Sequence, residues 1–221
     1  MQIPVDNSRK RGSIREATGV VMSTQTLSGK ILSRIYGKKR GWVFTPNHFL
    51  DLGSRTAVAQ SLSRLVKSKT IRRLAHGIYD YPKKHPTLGD LPADYERIAQ
   101  ALAGRDNLKI QPTGAYAANL LGLSEQVPAR IIFLTDGSNR AVQINKRKIV
   151  LKKTTPKNMA TAGRISGLVI QALRYIRQNY VDQEIMGRLK RRLTDEDKLC
   201  LMKDIRYAPV WIGDIFRQLQ K

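Results

Sequence analysis

Six structure-breaking residues set the frame for the first third of this chain. Gly37, Gly41, Pro46, Gly53, Gly77 and Pro82 divide residues 25–84 into short elements of alternating type. Leu27, Ile31, Leu32 and Ile35 recur at helical spacing, which predicts a helix over 25–36 closed by Gly37. After the basic turn Lys38-Lys39-Arg40-Gly41 comes a β-prone run, Trp42-Val43-Phe44, ended by Thr45-Pro46. Pro46 suits the first turn of a second helix over 47–52, with Thr45 as its N-cap and Phe49 and Leu50 buried. Ser54 caps a third helix over 55–68, whose apolar stripe is Val58, Leu62, Leu65 and Val66. Residues 71–74 and 78–81 read as two strands joined by Ala75-His76-Gly77.

Helix, short strand, helix, helix, hairpin is the order of a winged helix-turn-helix. In that arrangement the third helix enters a major groove and presents Arg55, Thr56, Ala57, Gln60, Ser61, Arg64 and Lys67. Gln pairs with adenine and Arg with guanine through two hydrogen bonds each. Arg72, Arg73 and His76 fall on the wing, and Lys38, Lys39 and Arg40 are placed to reach backbone phosphates. The charge points to the same partner. The 221 residues carry 40 Lys and Arg against 17 Asp and Glu, a net +23. Residues 23–83 hold 12 of the basic side chains and only two acids, Asp51 and Asp80. Charge concentrated in one segment fits a face for a polyanion, with double-stranded DNA first.

The runs Tyr36-Gly-Lys-Lys-Arg-Gly-Trp-Val-Phe-Thr-Pro46, Ala57-Val-Ala-Gln-Ser-Leu-Ser-Arg-Leu65 and Ile71-Arg-Arg-Leu-Ala-His-Gly-Ile-Tyr-Asp-Tyr-Pro82 resemble the N-terminal winged helix of AbiEi-type antitoxins. These belong to type IV (abortive-infection) toxin–antitoxin pairs. His76 stands where many members have Arg. Pro112-Thr-Gly-Ala-Tyr-Ala-Ala-Asn-Leu-Leu-Gly-Leu123, with Gln126-Val-Pro128, resembles the region that follows, so the likeness spans roughly 36–155. It implies a transcriptional regulator that binds a promoter, often that of its own operon. It further implies neutralisation of a nucleotidyltransferase-like toxin.

Residues 85–221 read as a second domain, α+β over 85–157 and helical over 158–221. Helices are expected over 93–103 and 114–121, and strands over 131–135, 141–144 and 149–151. Lys146, Arg147 and Lys148 read as a turn and, with Lys152 and Lys153, as a second basic surface. Further helices carry Ile165 to Ile176, Ile185 to Leu189 and Leu199 to Met202, and a last one Trp211 to Leu219. The overall class is α+β. Residues 1–24 read as a flexible basic lead-in, with Met22 an alternative start.

The sequence offers little for catalysis. No Walker A loop, dinucleotide fingerprint, His-Glu-x-x-His or Cys-x-x-Cys occurs, so neither cofactor nor metal is expected. A metal nuclease needs acids on adjacent strands. Asp136 lies in an Asp-Gly-Ser turn, and Asp195, Glu196 and Asp197 open a helix. A nucleic-acid-processing enzyme and a general basic nucleic-acid-binding protein remain the alternative readings. The single Cys200 reads as a buried inert thiol in a reducing, cytoplasmic setting. No run approaches the ~20 apolar residues of a membrane span.

Overall fold

A computed structural model describes residues 26–104 and 108–220, so the expected lead-in 1–24 and Met22 lie outside the described residues. The chain is mixed α+β. It begins with α1 (Leu27–Gly37), β1 (Val43–Phe44) and a single 3-10 turn at Pro46–Phe49. Then come α2 (Arg55–Lys67), β2 (Arg72–Ala75) and β3 (Ile78–Asp80). The three strands form an antiparallel sheet ordered β1-β3-β2. A small hairpin, β4 (Lys84–His85) and β5 (Gly89–Asp90), leads to α3 (Tyr95–Ala103). No residue pattern marks this hairpin in advance.

The middle of the chain adds β6 (Ile110–Thr113), α4 (Gly114–Leu120), β7 (Arg130–Thr135), β8 (Arg140–Ile144) and β9 (Arg147–Lys153). Its four-stranded sheet has the order β6-β7-β9-β8, with β7 and β9 parallel. The short α5 (Pro156–Met159) precedes the helices α6 (Ile165–Ile176), α7 (Gln183–Arg192), α8 (Asp195–Lys203) and α9 (Val210–Gln220). Among the described residues no helix is long and apolar enough to cross a membrane.

The expected second helix is only the Pro46–Phe49 turn. Proline starts it, and His48 Nδ1 caps that start by accepting the Thr45 backbone N–H at 3.1 Å. Phe49 is fully buried, but Leu50 falls past its end and is exposed. The expected strand 149–151 runs the whole of 147–153, so only Asn145 and Lys146 remain in the turn.

Three apolar clusters hold the molecule together. One lies under α1 and α2, where Ile31, Ile35, Phe44, Phe49, Val58 and Leu62 are fully buried. A second centres on α3. Ile98 and Ala99 meet Ile131, Phe133, Ile149 and Leu151 of the four-stranded sheet, and Val43 and Ile78 of the three-stranded sheet join them. The third joins α4 to the C-terminal helices through Ala117, Ala118, Val169, Leu173, Ile212 and Phe216.

The boundaries drawn from sequence at 84/85 and 157/158 therefore both cut through a shared core. α3 has small residues on its buried sides (Ala99, Ala101 and Ala103), so two sheets can close on it. α4 likewise presents Ala117 and Ala118 to α6. The expected C-terminal helix seals the third cluster with Ile212, Ile215, Phe216 and Leu219, while Trp211 is only half-buried. Cys200 is half-buried rather than buried, with its Sγ 4.0 Å from Asp204 Oδ2.

Ile98 is 1% exposed and touches the core that both sheets share. Ile98→Ala is expected to lower stability by about 2–5 kcal/mol, the range for truncating a large aliphatic side chain in a core. The check is a urea titration followed by circular dichroism. One transition at a lower midpoint with the same slope is the expected outcome. Two separate transitions would mean that the sheets do not depend on α3 together.

Candidate nucleic-acid interface

α2 begins at Ser54, whose Oγ accepts the Ala57 N–H at 3.3 Å. Its inner stripe, Val58, Leu62 and Leu65, is buried against α1. Its outer face presents Thr56, Ala59, Gln60, Ser63, Arg64 and Lys67 to solvent. Arg55 is exposed at the first turn, and Ala57 is half-buried. The helix carries no acid. Ser61 does not belong to the outer face: it is 5% exposed and accepts a hydrogen bond from Ser28 Oγ at 3.1 Å. It follows Val58 by three residues and so falls on the stripe that meets α1.

The two acids of residues 26–83 are both consumed by ion pairs. Asp51 takes Arg34 in a two-pronged contact, 2.7 and 2.6 Å, and the guanidinium holds its carboxyl below the usual range. Arg34 also donates to the His48 carbonyl at 2.6 Å. This ties α1 to the turn that precedes α2. Asp80 is 1% exposed and takes Arg72 Nε and Nη2 at 3.1 and 2.7 Å. The hydrogen bond to Asp80 raises Arg72 above its ordinary value. Ten Lys and Arg of the 12 in this segment are left without an acidic partner among the described residues.

The residues assigned from sequence to wing and backbone fall into three places. Arg73 and His76 lie at the β2–β3 turn, where Arg73 Nη2 and His76 Nδ1 are 3.0 Å apart. They line a cleft of about 400 Å³ with Arg55 and Ala59 of α2 and Arg140 of β8. Lys38, Lys39 and Arg40 sit at the opposite end of β3. There Gly41 donates to the Tyr81 carbonyl at 2.6 Å, and Arg40 donates to the Pro82 carbonyl at 3.0 Å. The Arg40 guanidinium lies 4.5 Å from the Tyr81 ring centre. Gly77 and Pro82 are five residues apart, roughly 16 Å of extended chain, so the two basic groups do not form one surface.

Arg72 occupies the third place. Its two contacts with Asp80 and a third to the Leu91 carbonyl at 3.0 Å make it a structural pin at the base of the hairpin. With these contacts made, Arg72 has fewer free donors for a phosphate than the other cations of this group.

The expected second basic surface is also divided. Lys146 and Arg147 lie at the β8–β9 turn and line a cleft with Arg72 and Arg73. Lys152 and Lys153 lie at the far end of β9, about 20 Å along the strand. There the Lys153 backbone N–H donates to Asn139 Oδ1 at 2.7 Å. Lys148 is exposed on the face of β9 opposite Ile149 and Leu151. Among the described residues no three His, Cys, Asp or Glu side chains come together to hold a metal ion.

Residues 30–201 match the model of a family of unknown function, DUF6088. The chain belongs to the DUF6088 family. No curated protein matches it. Among solved structures, it is similar to the crystal structure of the RV2827C protein from Mycobacterium tuberculosis. The two are 14% identical, over 88% of this chain and 76% of that one, with a TM-score of 0.45.

In this DUF6088 chain, sequence reasoning missed three residues of the exposed basic region. Ala59 and Ser63 carry no charge or apolar signal, but the helical period places them between Thr56, Gln60 and Lys67. Arg140 reaches the Arg55–Arg73–His76 cleft only because β2 packs beside β8, and nothing in local sequence marks that.

The placement of Arg72 has a direct consequence. Arg72→Ala leaves the buried Asp80 carboxylate unpaired, a change that costs about 3–5 kcal/mol at buried ion pairs. The partial exposure of the Arg72 side chain, 34%, puts the expectation at the lower end of that range. Arg72→Ala with Asp80→Asn is expected to recover part of the loss. Thermal unfolding of the two variants measures this. An Arg72→Ala protein as stable as the parent would return Arg72 to the exposed basic set.

Proposed function

We propose that this protein is a double-stranded-DNA-binding transcriptional regulator whose residues 26–83 act as a winged helix-turn-helix, with α2 as the reading helix and the β2–β3 hairpin as the wing. The carrying observation is the outer face of α2. It is acid-free, mixes small, amide and basic side chains, and adjoins Arg55, Arg73 and His76 in a unit whose two acids are both ion-paired. Small residues such as Thr56, Ala59 and Ser63 let a helix approach base edges closely, while Gln60 offers one donor and one acceptor to adenine and Arg64 two donors to guanine. Arg73, His76 and Arg140 flank the helix on one side as phosphate contacts.

The likeness of Tyr36–Pro46, Ala57–Leu65 and Ile71–Pro82 to AbiEi-type antitoxins supports a narrower reading. In it the chain represses its own promoter in the cytoplasm and opposes a nucleotidyltransferase-like toxin. The protein is then a regulator rather than an enzyme, and it needs no cofactor for this role.

Binding to duplex DNA is expected to weaken steeply with salt. For about 4–7 phosphates neutralised, log K against log salt falls with a slope of roughly −4 to −6. Gln60→Ala and Arg64→Ala are each expected to cost about 1–3 kcal/mol at the specific site and less on random DNA. Lys39→Ala, at the far end of β3, is expected to leave the specific-to-random ratio unchanged. Fluorescence anisotropy across a salt series, using the protein's own upstream DNA and a scrambled duplex, measures all three. A salt-independent interaction, or equal losses on both duplexes for Gln60 and Arg64, would overturn the reading role of α2.

A further inference from the structure

A second cleft, of about 520 Å³, opens between β2 of the first sheet, the start of α3 and the β8–β9 turn. Its volume lies within the ~300–1,000 Å³ range of small-molecule sites. Four cationic side chains line it: Arg72, Arg73, Lys146 and Arg147. Among the described residues no carboxylate lines it. Asp80 neutralises Arg72 from behind, while Arg73, Lys146 and Arg147 have no acidic partner among the described residues.

The rest of the lining is Asn145, Tyr95 and an apolar group, Leu74, Pro92, Ala93, Ile98 and Ile144, of which Leu74, Ala93, Ile98 and Ile144 belong to the core that α3 shares with both sheets. Arg147 is held in place, donating to the Tyr95 hydroxyl with its guanidinium 5.2 Å from the Tyr95 ring centre. Tyr95 in turn packs edge-on against the buried Tyr116. A guanidinium fixed this way loses little further rotamer freedom when it meets an anion.

Cations gathered over an apolar floor repel one another, and an anion that brings its own apolar surface relieves both conditions. A duplex backbone supplies phosphates but no ring to lie over the accessible apolar surface of Leu74, Pro92 and Ala93. We propose that this cleft binds a nucleoside phosphate, with the phosphate on Arg73, Lys146 and Arg147 and the base against the apolar floor. The ligand would bridge β2 to the β8–β9 turn, and so join the hairpin to the four-stranded sheet. The proposal does not depend on the DNA reading, since none of the α2 side chains lines this cleft.

The test is isothermal titration of the full chain with AMP, GMP, CMP and UMP, with inorganic phosphate and adenosine as partial probes. At least one monophosphate is expected to bind with 1:1 stoichiometry, and phosphate and adenosine each at least tenfold more weakly. Lys146→Glu and Arg73→Ala, both on exposed side chains, are expected to weaken it tenfold or more. Gln60→Ala is expected to leave it unchanged while lowering DNA binding, which separates the two sites. Four outcomes would each overturn the proposal: no saturable binding of any monophosphate at millimolar concentration, phosphate alone binding as well as the nucleotide, unchanged affinity in Lys146→Glu, or loss of nucleotide binding in Gln60→Ala.

Discussion

The packing of α3 between two sheets is the constraint on which the rest of the molecule depends. Val43 and Ile78 reach it from one side, and Ile131, Phe133, Ile149 and Leu151 from the other. A nine-residue helix can be buried on both sides only if its side chains are small where the sheets approach, which Ala99, Ala101 and Ala103 provide. Asp94 secures its start by accepting the Glu96 N–H at 2.7 Å. Because the two sheets share this helix, the β2–β3 hairpin is not a free appendage. The register of β2 shifts between Arg73 and Ala75, leaving Leu74 as the extra residue, and Leu74 and Ala75 pack into the α3 core while Arg73 stays exposed. A bulge re-aims side chains in this way at the cost of one ladder pairing.

Within single elements, much was legible from residue spacing alone. The stripe Val58, Leu62 and Leu65 gave α2 its inner face, and Ser54, Asp195 and Pro46 marked starts that the structure has at the same residues. The relation between elements was not legible. Ser61 looked like one more polar residue of the outer face, yet it pairs with Ser28 across a helix contact that sequence cannot display. Arg72 and Arg73 look equivalent, and only the register Arg72↔Asp80 turns the first toward a buried carboxylate. Lys146–Lys148 and Lys152–Lys153 read as one basic surface because they are close in sequence, and Lys38–Arg40 reads together with Arg73 and His76 as one set of phosphate contacts. A strand separates their neighbours or their ends by some 15–20 Å.

Charge in the first unit is arranged with the same economy. Each acid is placed where a hydrogen-bonded guanidinium links two elements, α1 to the turn before α2 and β2 to β3. Neither is left on the outer face to offset the cations there. Unpaired like charges oppose the compact state, so the apolar cluster beneath α2 has to hold against that repulsion. A polyanion bound on the outside would lower the same repulsion, and such a ligand stabilises the folded form by mass action.

The position of Arg73 joins these threads. It lines both the cleft beside α2 and the cleft beside the β8–β9 turn, because strand β2 forms a wall of each. An anion held in either cleft therefore draws on the same guanidinium. Were both clefts to take anions, their occupancy would be coupled through this one side chain, and by linkage the coupling would be reciprocal. If a phosphate in the inner cleft takes Arg73, the outer cleft keeps Arg55, His76 and Arg140 but loses one cation. The expected sign is antagonistic: filling the inner site weakens an anion at the outer one. Leu74 and Ala75 pack against the core around α3, so the stretch of β2 that carries Arg73 is anchored between the two clefts.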